Sequence, residues 1–63
     1  MCLSTVYKNT MEEASIVMKN VMHIACQDGC VILTDLMDRQ VTIPGTLEQA
    51  NLVEGFVLVK EAK

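Results

Sequence analysis

Val21-Met22-His23-Ile24-Ala25-Cys26-Gln27-Asp28-Gly29-Cys30-Val31-Ile32-Leu33-Thr34-Asp35-Leu36 is the stretch that decides the fold. Two apolar runs flank a short polar break, the pattern of two strands joined by a hairpin. Gln27-Asp28-Gly29 is the clearest turn of the chain. A three-residue hairpin loop wants glycine at its last, left-handed position, and Gly29 supplies it. The second arm, Cys30 to Leu36, is apolar on both faces, as a central or interface strand is.

Outward from this hairpin the same grammar repeats. Toward the amino end, Lys19-Asn20 interrupts the apolar run as a bulge or tight turn, and Ser15-Ile16-Val17-Met18 precedes it as a β-branched segment. Asn9 to Glu13 is a polar loop. Leu3 to Lys8 reads as a first strand, with Leu3, Thr5 and Tyr7 on one face and Ser4, Val6 and Lys8 on the other. Toward the carboxyl end, Asp38-Arg39 turns the chain into Gln40-Val41-Thr42-Ile43, which Pro44-Gly45 is expected to end. Thr46 to Val53 is ambiguous: Glu48-Gln49-Ala50 favours helix, whereas the Glu54-Gly55 turn between apolar runs favours strand–turn–strand. The expected fold is all-β, a small and mostly antiparallel β-barrel or curled sheet with at most a short helical turn.

Sixty-three residues make a single small β domain spanning residues 1–63. A chain of this size buries only roughly 60% of its unfolded surface and commonly adds a disulfide, a metal or a partner subunit. Hydrophobic residues make up 51% of the chain while Tyr7 and Phe56 are its only aromatics. That aliphatic excess cannot all face the interior of so small a body, so a self-complementary apolar patch and a homodimer are expected.

The formal charge of −3 comes from eight acidic and five basic residues, and Lys8, Lys19, Arg39, Lys60 and Lys63 are dispersed. Nucleic-acid binders concentrate basic residues and stacking aromatics, so this composition argues against that class. No signal peptide is evident, and apolar runs such as Phe56-Val57-Leu58-Val59 are too short to span a bilayer. Three cysteines without a secretory signal point to a cytoplasmic protein with free or metal-bound thiols. There is no Ser/His/Asp constellation and no phosphate-cradling glycine loop, so an enzyme is not expected.

The residue with the most specific chemistry is Cys2. Its thiolate lies within one residue of the α-amine and of a main-chain amide nitrogen, a mixed N and S donor set that suits square-planar Ni(II) or Cu(II). With Met1 retained, the Met1 amine, Cys2 amide nitrogen and Cys2 sulfur form two fused five-membered chelate rings. With Met1 removed, the Cys2 amine and sulfur form one ring, and a two-fold axis near the termini could complete the square with a second chain. Position alone favours an ordinary small hydrophobe at the start of a strand.

The opening Met1-Cys2-x-Ser4-x-Val6-Tyr7, the apolar segment Val21 to Ile24, the turn at Asp28-Gly29, Val31-Ile32-Leu33-Thr34-Asp35, Pro44-Gly45 and Leu52-Val53…Phe56-Val57-Leu58-Val59 together resemble the CooT family of small nickel-binding proteins. The opening pair is the specific part of the resemblance; the rest is a β pattern shared by many small barrels. The resemblance implies a β-rich homodimer that binds Ni(II) through the cysteine at position 2. It also implies a role near the maturation of a nickel enzyme, carbon monoxide dehydrogenase in the namesake. With it, metal binding at Cys2 outweighs the reading of an ordinary small hydrophobe. Family members have also been described as RNA-binding, which the acidic charge and sparse aromatics oppose here.

Other candidates carry less. His23-x2-Cys26-x3-Cys30 is shorter than a zinc motif with two well-separated ligand pairs, and alternation sets His23 and Cys26 on opposite faces. Flanking a three-residue loop, Cys26 and Cys30 would be cross-strand neighbours able to oxidise or to share an adventitious metal. Neither belongs to the family pattern. Met11, Met18, Met22 and Met37 have no regular spacing and read as core or interface fillers. The competing functional classes are a small β-barrel that binds protein or RNA without metal, and a redox-sensing dimer linked by Cys2.

Overall fold

The computed structural model describes residues 3–62. Five strands, β1 (Ser4–Lys8), β2 (Ile16–Gln27), β3 (Cys30–Asp35), β4 (Gln40–Asn51) and β5 (Phe56–Glu61), neighbour one another in chain order, and the sheet curls until β5 meets β1. Among the described residues the helical content is one 3-10 turn, Glu13–Ser15. Four of the five pairings are antiparallel, and the fifth, β1 with β5, is parallel. The all-β expectation holds, and the parallel seam is the feature that hairpin-by-hairpin reading does not supply.

Two long strands make the curl. β2 pairs with β1 over its first half and with β3 over its second, changing partner at Val21, which faces both Ser4 and Asp35. Asn20, at φ 58°, and a register shift between Val21 and His23 form the bulge at that corner. β4 does the same: Gln40 to Pro44 pair with β3, and Gly45 to Asn51 pair with β5. Pro44-Gly45 therefore bends this strand instead of ending it. The proline's missing N–H falls where the strand leaves β3, and its carbonyl accepts from the Ala62 N–H at 2.7 Å. Gly45 lies so close to β5 that a Cβ would collide with the Lys60 carbonyl and come within 2.9 Å of Glu61 Cα. A bare backbone is what lets the corner close.

The β2–β3 loop also differs from expectation. Gln27 pairs with Cys30, which leaves a two-residue loop of Asp28 and Gly29 at φ 54° and 74°. Both central positions are left-handed, the arrangement of a type I′ turn, and aspartate tolerates that region well enough to take the first. Leu3 lies just before β1, and Leu36 falls in the turn after β3. Thr46 to Asn51 is strand, and the β4–β5 turn is tied by Asn51 Oδ1, which accepts from the Val53 and Glu54 N–H groups at 3.1 and 2.9 Å.

The core is small and aliphatic: Val6, Val21, Val31, Leu33, Ile43, Val57 and Val59 are buried. Val31 and Leu33, and Val57 and Val59, recur at the two-residue period of strands facing one interior. Val17, Met18, Ile24 and Val41 pack on this cluster from its margins. Burying each such side chain stabilises by roughly 1.5–3 kcal/mol, so a core of this size leaves little to spare. No helix among the described residues is long and apolar enough to cross a membrane.

Candidate metal centre

Cys2 and Met1, the residues expected to hold metal, lie outside the described residues. What the structure does define is where the residues that follow them, from Leu3 on, join the sheet. Ser4 is buried and faces Val21 at the corner of β2. On the other side, Thr5 donates its N–H to the Gly55 carbonyl at 2.9 Å and pairs with Phe56. Gly55 sits near Leu3, where an added Cβ would stand 3.4 Å from the Leu3 carbonyl. The amino end therefore joins the ring between the bulge of β2 and the β4–β5 turn.

The segments around this junction carry exposed apolar side chains. Met22 follows Val21, Leu36 and Met37 follow its partner Asp35, and Leu52 and Val53 form the tip of the adjoining turn. Val53 is 91% exposed and Met37 72%.

Beneath that surface lies a polar clasp that the sequence did not single out. Asp35 is 2% exposed, and its Oδ1 accepts from the Met37 and Arg39 N–H groups, each at 2.9 Å. Its Oδ2 accepts from Arg39 Nε at 2.8 Å. The Arg39 backbone N–H holds the carboxyl below its usual value, burial opposes that, and the Arg39 guanidinium and Met37 N–H add to the lowering. The Asp35 N–H in turn donates to the Arg39 carbonyl at 3.0 Å. This closes a tight turn between β3 and β4. The only sequence signal was the pair of turn formers Asp38-Arg39 placed just after an aspartate.

His23 and Cys26 are separated as expected. His23 pairs with Thr34 and Cys26 with Val31, without a register shift between them, so the two project from opposite faces. Cys26 and Cys30 are free thiols. Because the loop has two residues, Cys30 faces Gln27 and not Cys26, and the two cysteines are offset by one step onto opposite faces. That removes the cross-strand neighbour relation. Among the described residues no three of the His, Cys, Asp and Glu side chains are grouped to hold a metal ion.

A family model described as CO dehydrogenase accessory protein CooT matches residues 1–60. The chain belongs to the CooT family. The crystal structure of a provisionally assigned CooT from Carboxydothermus hydrogenoformans superposes with a TM-score of 0.84, covering 98% of this chain and all of the other. At 14% identity that likeness establishes a shared CooT fold. None of the curated proteins matches the chain. The family description is that of an accessory protein, in keeping with a small ring of strands whose interior is filled by valines.

Proposed function

We propose that this chain binds Ni(II) at its amino end, through the Cys2 thiolate together with the Met1 amine and the Cys2 amide nitrogen, and holds the ion for a nickel enzyme such as a carbon monoxide dehydrogenase. The observation that carries the proposal is the CooT match, which takes in the Met1-Cys2 pair itself. Two five-membered chelate rings favour a planar donor set, and thiolate with amine and amide nitrogen suits Ni(II) better than tetrahedral Zn(II). The role is accessory: the residues bind and release an ion that an enzyme elsewhere uses.

A homodimer fits this role. Met22, Leu36, Met37, Leu52 and Val53 are exposed apolar side chains on the segments that follow Val21 and Asp35 and on the turn before β5. Covering them with a second copy about a two-fold axis would bring two amino ends together and let each supply donors to one ion.

The ligand chemistry sets the test. A cysteine thiol titrates near ~8.5 and an α-amine near ~7.7–8.0, so nickel has to displace protons from both at neutral pH. Affinity should rise steeply between about pH 6 and 9. Ni(II) added to reduced protein should produce thiolate-to-nickel charge-transfer absorption that Cys2→Ser abolishes. Acetylating the amine should weaken binding nearly as much. An acetylated chain that binds nickel as tightly as the free one would remove Met1-Cys2 as the chelating unit.

A further inference from the structure

β2 is longer than either neighbour can cover. β1 pairs with it as far as Val21 and β3 only from Val21 onward. On the β3 side, the backbone of residues 16–19 therefore faces no strand among the described residues. Beyond the end of β3 the surface opens into a groove of about 500 Å³. Val17, Met18 and Val41 line it and also pack on the core, which makes its floor apolar. Lys19 stands on the β2 side and Arg39 on the side of the β3–β4 turn.

Charge in this groove runs against that of the molecule. Asp35 is its acidic lining residue, but both oxygens are turned into the clasp with Arg39 and the Met37 N–H. Arg39 engages it through Nε and is largely exposed otherwise. Lys19 is exposed and forms no ion pair among the described residues. Asp38, in the same turn, does not line the groove. Lys8, by contrast, is bridged to Glu61 at 3.4 Å, and Lys60 shares its groove with Glu48 and Glu61.

We infer that this groove receives an extended segment of a partner protein with alternating apolar and acidic side chains, added as a strand along residues 16–19 of β2. The unpaired edge supplies main-chain hydrogen bonds, the floor takes alternate apolar side chains, and Lys19 and Arg39 take the carboxylates. A lysine on an exposed edge ordinarily repels casual strand pairing. Against an acidic strand the same charge becomes an attraction, so the guard also selects the partner. The inference stands apart from nickel binding, since the groove uses neither Met1 nor Cys2.

The test uses the full chain, ¹⁵N-labelled, titrated with the pentapeptide acetyl-Val-Glu-Val-Asp-Val-amide. Amide shifts should concentrate at Val17, Lys19 and Val41, and Lys19→Glu, an exposed change that leaves the fold intact by circular dichroism, should weaken binding by about tenfold. A peptide N-methylated at all five residue nitrogens should not bind. Binding of acetyl-Val-Lys-Val-Lys-Val-amide as tightly as the acidic peptide would overturn the charge selection. Retained affinity of the N-methylated peptide, shifts centred elsewhere, or no shifts at millimolar peptide would overturn the site.

Discussion

Asp35 shows how one side chain governs a neighbourhood. Three donors converge on a carboxylate that is almost wholly inside the protein, and all three belong to the turn that follows it. Its folded-state value lies below the ordinary 3.8, so its stabilising effect is present above that value and is lost as pH falls through the folded one. Asp35→Asn keeps an acceptor for the turn but sets an amide N–H against Arg39 Nε and removes the charge. The variant should unfold at lower urea concentration than wild type at pH 7. The gap should narrow once pH drops below about 4, and urea midpoints at pH 7 and pH 3 test this. A gap unchanged by pH would mean that the carboxylate charge contributes nothing. At the same scale, Cys2 stands out in the sequence because its chemistry is local, an amine, an amide and a thiol within two residues, and its role as a ligand stays a proposal because it lies outside the described residues. Asp35 does not stand out, because its importance depends on burial that no short window of sequence reveals.

Among the elements, the hairpins and the bulge at Lys19-Asn20 were readable, and the corner at Pro44-Gly45 was not. Asp28-Gly29 and Glu54-Gly55 announce reversals through their own backbone preferences, and alternation around them assigns strands. Pro44-Gly45 looks like a stop by the same rules. The structure keeps the strand going because the partner changes there, and the reason for glycine lies in Lys60, Glu61 and Ala62, distant in sequence. Gly45→Ala should therefore destabilise the protein by more than about 2 kcal/mol, read from urea unfolding, because the obstructing atoms are backbone and cannot step aside. A loss below about 0.5 kcal/mol would show that β5 yields at this corner. The loop length between β2 and β3 was misread for a subtler reason. Aspartate is permitted but not required to be left-handed, so Gln27 could have belonged to turn or strand on local grounds.

For the molecule as a whole, the balance between a valine-rich core and the apolar side chains left outside it leads to the expected dimer. Val53 is exposed on a turn tip, so Val53→Asp should change monomer stability by no more than about 0.5 kcal/mol. If the chain pairs as proposed, sedimentation equilibrium should nevertheless show the variant as a monomer at concentrations where wild type sediments as a dimer. A variant that associates as wild type does would place the interface away from the amino end. The parallel seam between β1 and β5 has a consequence of another kind, one of timing. Thr5 meets Phe56 and Lys8 meets Val59, so the first strand has its second neighbour only after nearly the whole chain has been made. At synthesis rates of roughly 5–20 residues per second, the leading end spends seconds as an open ribbon before it is clamped. The order in which the strands appear therefore makes ring closure the last step of assembly, and a chain halted before residue 56 would leave β1 with one free edge.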